Sequence, residues 1–190
     1  MPLLHLLRQN PVIAAVKDNA SLQLAIDSEC QFISVLYGNI CTISNIVKKI
    51  KNAGKYAFIH VDLLEGASNK EVVIQFLKLV TEADGIISTK ASMLKAARAE
   101  GFCIHRLFIV DSISFHNIDK QVAQSNPDCI EILPGCMPKV LGWVTEKIRQ
   151  PLIAGGLVCD EEDARNAINA GVVALSTTNT GVWTLAKKLL

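Results

Sequence analysis

The sequence predicts an α/β protein, a single compact (β/α)₈ barrel of the TIM type over residues 1–190, with a short helical segment at its N-terminus. Three observations carry this. Eight short aliphatic or β-branched runs start 20 to 29 residues apart, the stretches between them show helical periodicity, and no hairpin signal joins one run to the next. An open doubly wound sheet is the alternative. Such sheets usually announce a nucleotide through a glycine-rich first turn, and here that turn reads Val16-Lys17-Asp18-Asn19. The 190 residues fall slightly short of the ~200 at which this fold usually begins, so the loops must be minimal.

Taken in order, residues 2–8 form a helical turn outside the repeat, expected to plug the barrel floor. Val12 to Val16 is the first strand, and Asn19-Ala20-Ser21 reads as a helix start. After the second strand, Phe32 to Tyr37, the stripe Ile43, Ile46, Val47 and Ile50 marks a crossover helix closed by Gly54. Tyr56 to Asp62 is the third strand. The next helix opens on Ser68-Asn69-Lys70-Glu71, read as a capping box, and carries Val72, Val73, Phe76, Leu77 and Val80. Strands follow at Gly85 to Thr89, His105 to Asp111, Cys129 to Leu133 and Leu152 to Gly155. A helix then opens at Asp160 and stops at Gly171, before the last strand, Val172 to Thr177.

Composition narrows the function classes. Half the residues are apolar and only 5% aromatic, the look of a buried aliphatic sheet. A net charge of +1 excludes polyanion binding through bulk field, so any nucleic-acid site must be a local patch. The six cysteines contain no C-x-x-C pair and no histidine at zinc-finger spacing, so they read as reduced thiols with no metal site. Residues 1–9 lack the leading charge and cleavage site of a signal peptide, and no apolar run approaches a membrane span. The expectation is a soluble cytoplasmic chain with no membrane partner.

In a parallel barrel, function gathers at the C-terminal ends of the strands. Here those ends are polar: Lys17, Asp62, Lys90 after the fourth strand, Asp111, and Pro134-Gly135 after the sixth. Alternation turns His60 the same way as Asp62, and sets Glu131 on one face with Cys129 and Leu133. A carboxylate facing the interior needs a cation or donors, and Arg106 on the neighbouring strand is the candidate partner. A purely structural polar layer is the alternative. The most specific local signal is Gly155-Gly156 after the seventh strand together with Ser176-Thr177-Thr178-Asn179 after the eighth, the usual phosphate site of such barrels. Cys136 is the thiol expected on this face, with no histidine placed as its base. No nucleophile–base pair is legible, so no catalytic residue is assigned. Lys48, Lys49, Lys51 and Lys55 form the densest basic patch, read either as an anion surface or as the solvated face of a helix.

The ordered set Ile59-His60-Val61-Asp62-Leu63, Gly85-Ile86-Ile87-Ser88-Thr89-Lys90, Arg106-Leu107-Phe108, Ile130-Glu131-Ile132-Leu133-Pro134-Gly135, Ile153-Ala154-Gly155-Gly156-Leu157 and Thr177-Thr178-Asn179 with Trp183 resembles the glycerol uptake operon antiterminator regulatory protein (GlpP) family, from about Pro11 to Trp183. The resemblance implies a non-enzymatic cytoplasmic regulator that responds to glycerol 3-phosphate, binds leader mRNA of glycerol-utilisation genes and lets transcription pass a terminator. It puts the phosphate on Gly155, Gly156, Thr177, Thr178 and Asn179, and the glycerol hydroxyls toward Lys17, Asp62 and Glu131. It implies no cofactor beyond the effector. Lys48, Lys49, Lys51 and Lys55 become the expected RNA surface. Lys17 and Lys90 stand where arginine is expected in relatives, a point charge in place of a bidentate fork. The reading from another class is an enzyme acting on a phosphorylated triose or glycerol phosphate, with Asp62 or Glu131 as acid or base.

Overall fold

The computed structural model describes residues 2–189 and forms a closed barrel of eight parallel strands, a TIM-type (β/α)₈ fold. The strands β1 (Val12–Val16), β2 (Phe32–Val35), β3 (Tyr56–His60), β4 (Gly85–Ser88), β5 (Phe102–Phe108), β6 (Cys129–Leu133), β7 (Leu152–Gly155) and β8 (Ala174–Thr177) follow one another in chain order, and β8 closes on β1. Around them lie α2 (Asn19–Asp27), α3 (Ile43–Asn52), α4 (Val72–Val80), α5 (Ala91–Ala97), α6 (Ser112–His116), α7 (Ile118–Ser125), α8 (Pro138–Lys147) and α9 (Glu161–Asn169). The helix α1 (Pro2–Gln9) precedes β1, and α10 (Thr180–Trp183) follows β8. Parallel neighbours force each connection back over the outside of the barrel, where an amphipathic helix buries its apolar stripe.

Alternation along each strand divides the core in two. Ala14, Ile33, Ile59, Ile130, Ile132 and Leu175 pack outward with helix residues such as Ile43, Ile46, Val47 and Ile50. Their neighbours Ile13, Phe32, Phe58, Phe102, Ile104, Cys129 and Ile153 fill the barrel itself. Leu7 is fully buried in that inner cluster, so α1 plugs the floor as expected. Phe32 stacks on Tyr56 at 4.9 Å and on Phe58 at 5.7 Å, and Phe58 stacks on Phe102 at 5.9 Å, so a row of aromatic rings fills the floor. One step further along the inward alternation the residues turn polar: Ser34, His60, Arg106, Glu131 and Ser176. That change marks the open end of the barrel.

Several boundaries differ from expectation. The fifth strand begins at Phe102, which pairs with Gly85, and ends at Phe108. Asp111 does not end it. Its carboxylate accepts from the Ser114 N–H at 2.7 Å while the Ser114 hydroxyl accepts from Asp111 N–H at 3.0 Å, a reciprocal cap on α6. Asp62 lies just beyond β3, in the 3₁₀ turn Val61–Leu63. The second and fourth strands stop at Val35 and Ser88, and the eighth starts at Ala174. Residues 68–71 form no capping box, because Glu71 is itself the N-cap of α4 and makes no side-chain cap bond. The reciprocal boxes stand at Asp18–Ser21 and Asp111–Ser114, where a serine returns the bond that the familiar pattern gives to Glu or Gln. No helix among the described residues is long and apolar enough to cross a membrane. All six cysteines are free thiols, and burial pushes Cys30 up to about 11 and Cys103 and Cys129 up to about 12.

Candidate functional site

A cavity of about 440 Å³ opens at the C-terminal ends of β5, β6, β7 and β8. It brings together Arg106, Glu131, Gly156, Leu157, Ser176, Thr177, Thr178 and Asn179. Of the expected ligand residues, Glu131, Gly156, Thr177, Thr178 and Asn179 therefore share one space. Gly155 packs against Glu131 and, like Lys17 and Asp62, is not part of the lining itself.

At the cavity floor Glu131 is 2% exposed and is clasped by Arg106, whose Nε and Nη2 donate to its two oxygens at 2.6 and 3.1 Å. The two residues are direct partners across the β5–β6 ladder, so strand register creates the pair. A fork of this kind uses two of the five guanidinium donors and leaves the rest for a ligand. Gly155 makes the pair possible. A Cβ there would lie 2.5 Å from Glu131 Oε1, so the first glycine of the pair makes room for the carboxylate and does not hold phosphate through its own open space.

The anion-binding potential sits one residue further on. Gly156 and Leu157 both adopt left-handed backbone, at φ of 68° and 55°. Such a conformation costs a leucine of order 1 kcal/mol, and strain of this kind collects at ligand clamps. The Gly156 carbonyl accepts from Gly135 N–H at 2.9 Å, which fixes the loop, and no described backbone acceptor takes the Gly156, Leu157 or Thr178 N–H. Thr177 and Asn179 play a different part from the one expected. The Thr177 hydroxyl donates to the Val158 carbonyl at 2.7 Å and accepts from Asn179 N–H at 3.1 Å. Asn179 caps α10 through Gly181 and Val182 N–H, and its amide donates to the Cys159 carbonyl at 2.8 Å. Both side chains are thus committed to lacing the β7 and β8 loops together. The hydroxyls of Ser176 and Thr178 remain as side-chain donors in the cavity.

Asp62 faces the β4 end instead. It accepts from the Ser88 hydroxyl at 2.8 Å and from Thr89 N–H and hydroxyl at 2.6 and 2.9 Å, with Lys90 Nζ 3.8 Å away. Burial alone would raise this carboxyl, but the Thr89 and Ser88 hydrogen bonds outweigh it and hold it below the usual carboxylate range. Lys90 also donates to Asn69. Lys17 is exposed at the end of β1, and its N–H donates to Ser21 Oγ at 3.1 Å. Burial, then the nearby Arg106, push His60 from its ordinary 6.5 down to about 4. The unfolded chain therefore takes up this proton first as pH falls. The stabilisation is complete above about pH 6.5 and is lost toward about pH 4, a change of up to roughly 3 kcal/mol. His60→Gln should flatten that part of the stability–pH curve. Equal losses of urea midpoint for parent and variant between pH 7 and pH 5 would exclude His60 as the source.

The expected basic patch does not form as one surface. Lys55 is buried, and its ammonium donates to the Ala25 and Ser28 carbonyls at 2.8 and 2.7 Å, closing the C-terminal end of α2. Lys51 contacts both Asp84 oxygens at 2.7 Å and lies over the Tyr56 ring. Carbonyls and a carboxylate from neighbouring elements have claimed these two cations. Lys48 and Lys49 remain exposed on α3.

The sequence places Ser176 in the hydroxyl cluster after the eighth strand without giving it a ligand contact, leaves Leu157 out of the site and gives Arg106 only as a partner. Ser176 was legible as the inward residue preceding Thr177, whereas the left-handed Leu157 left no sequence signal. Cys136 is half-buried, and Cys159 lines the cavity. Among the described residues no group of three or more His, Cys, Asp or Glu is placed to hold a metal. A larger groove of about 760 Å³, flanked by Phe115 and Trp143 beside α8, is mainly apolar and shares no lining residue with the polar mouth.

Over residues 12–183 the chain matches the family model described as glycerol-3-phosphate responsive antiterminator. It is similar to the crystal structure of a glycerol uptake operon antiterminator regulatory protein from Listeria monocytogenes, at 30% identity and a TM-score of 0.87, covering 91% of this chain and 94% of that one. It is also similar to a glycerol uptake operon antiterminator-related protein from Thermotoga maritima, at 30% identity and a TM-score of 0.81, covering 92% and 98%. Orotidine 5′-phosphate decarboxylase from Pyrococcus horikoshii has a TM-score of 0.69 over 93% of this chain and 99% of that one, but its 13% identity shows the shared barrel alone.

Proposed function

Because this chain belongs to the glycerol-3-phosphate responsive antiterminator family, we propose that it binds glycerol 3-phosphate at the barrel mouth and, so loaded, binds leader mRNA of glycerol-utilisation genes and lets transcription pass a terminator. The observation that carries the ligand half is the single cavity shared by Arg106, the Ser176 and Thr178 hydroxyls and the Gly156–Leu157 turn. The phosphate lies against the Gly156, Leu157 and Thr178 amides, with Gly155, Thr177 and Asn179 shaping the loops that present them. The glycerol end points toward the Arg106–Glu131 pair, with Asp62 and Lys17 further out. No cofactor beyond the effector is required. The reading is a cytoplasmic regulator rather than an enzyme, because Glu131 and Asp62 are held by fixed donors, which suits recognition better than proton transfer.

Linkage supplies the mechanism. A ligand that orders the β7 and β8 loops favours whichever state binds RNA better, and a coupling of ~1 to 3 kcal/mol raises RNA affinity roughly 5- to 150-fold. Lys48 and Lys49 are the exposed remainder of the basic patch on α3, and each phosphate contact they make adds ~0.7 to 0.9 to the magnitude of the log K versus log salt slope. The test is leader-RNA affinity with and without glycerol 3-phosphate, for the parent and for Lys48→Gln/Lys49→Gln. Affinity indifferent to ligand would overturn the sensor mechanism. An unchanged salt slope in the double variant, with ligand dependence intact, would move the RNA surface off α3.

A further inference from the structure

Beside the ligand cavity two polar atoms have no protein partner. Ser34 Oγ and His60 Nδ1 belong to residues 0% and 3% exposed, and neither makes a hydrogen bond. Buried polar groups are almost always satisfied by protein, water or ligand, and an orphan hydroxyl in a barrel strand could be replaced by alanine at no cost in packing. Register puts both residues next to the cavity wall. Ala15 lines the cavity and is the ladder partner of Ser34. Leu36 lines it as well and, because Val35 pairs with Ile59, His60 stands level with Leu36. Both belong to the inward alternation, one step beyond Phe32 and Phe58 of the floor.

His60 Nδ1 lies 4.0 Å from Asp62 Oδ2, too far for a direct hydrogen bond and a span that one hydroxyl can bridge. The imidazole is neutral at neutral pH, so with its proton on Nδ1 it donates to a hydroxyl that in turn donates to the Asp62 carboxylate. We infer that Ser34 and His60, with Asp62 behind His60, form a subsite that reads the hydroxyl groups of a phosphorylated polyol, while the Gly156–Leu157 turn holds its phosphate. This rests on the phosphate-binding reading above and adds what selects the polyol. A ligand without hydroxyls leaves these buried groups unpaired, and such sites discriminate strongly against it.

The test is calorimetric titration with glycerol 3-phosphate, n-propyl phosphate and inorganic phosphate. Propyl phosphate keeps the phosphate and the three-carbon chain but lacks both hydroxyls. The parent should bind glycerol 3-phosphate about tenfold or more tightly than propyl phosphate. Ser34→Ala and His60→Leu should each lower that ratio about fivefold, and His60→Asn should restore part of it. Ser34→Ala removes an unpartnered hydroxyl with little change of volume, so it decides the matter even if His60→Leu fails to fold. A ratio near one in the parent, or the parent's ratio retained in Ser34→Ala, overturns the subsite while the anion site stands. A parent that binds none of the three phosphates overturns the anion-site reading and the subsite together.

Discussion

Gly156→Asp should abolish the stabilisation that glycerol 3-phosphate confers. At a hundredfold excess over Kd, a ligand that binds only the folded chain adds ~2.7 kcal/mol, which for a chain of this size raises Tm by about 5–10 °C. The substitution sets a negative charge beside the amides that would face the phosphate. Its Cβ meets Leu133 Cδ2 at 3.1 Å, a flexible side-chain end that can give, and Asp tolerates left-handed backbone better than most residues. The apo variant should therefore melt close to the apo parent, which separates lost binding from lost fold. Glycerol alone should shift the parent far less than glycerol 3-phosphate. Equal shifts from the two, or a ligand shift retained in Gly156→Asp, would refute the anion site.

Removing the Glu131 carboxylate should have the largest effect on stability. Glu131→Ala leaves the Arg106 guanidinium, with its side chain 11% exposed, without its partner at the barrel centre, and breaking a buried pair in this way typically costs ~3–5 kcal/mol. Gly155→Ala reaches the same pair from the other side, because its Cβ would displace Oε1 from Arg106 and overpack the site by ~1–3 kcal/mol. The two substitutions should be strongly non-additive. Once Glu131 is alanine, the space opposite position 155 is empty and Gly155→Ala should cost little. Denaturant midpoints for the four members of this cycle provide the check. Additive losses would mean that Gly155 is needed for some reason other than the carboxylate.

These two glycines mark how far the sequence reads. Eight aliphatic runs separated by helical stripes specify a parallel barrel without reference to any coordinate, because side-chain direction repeats every two residues in a strand and about every 3.6 in a helix. The same periodicity foretold that His60 and Glu131 face inward and that the open end of the barrel is polar, and the Gly155-Gly156 and Thr177-Thr178-Asn179 runs pointed to the β7 and β8 loops. What each polar atom does there was decided by tertiary structure. The β5–β6 register put Arg106 opposite Glu131, and that carboxylate in turn required Gly155. Thr177 and Asn179 were taken up by the Val158 and Cys159 carbonyls and the start of α10, and Lys55 by the carbonyls at the end of α2. A local pattern records which side of an element is apolar, but a hydrogen bond needs its partner within about 3 Å. For Arg106 and Glu131, or Lys55 and Ala25, that partner comes from a distant part of the chain and arrives only when the barrel closes.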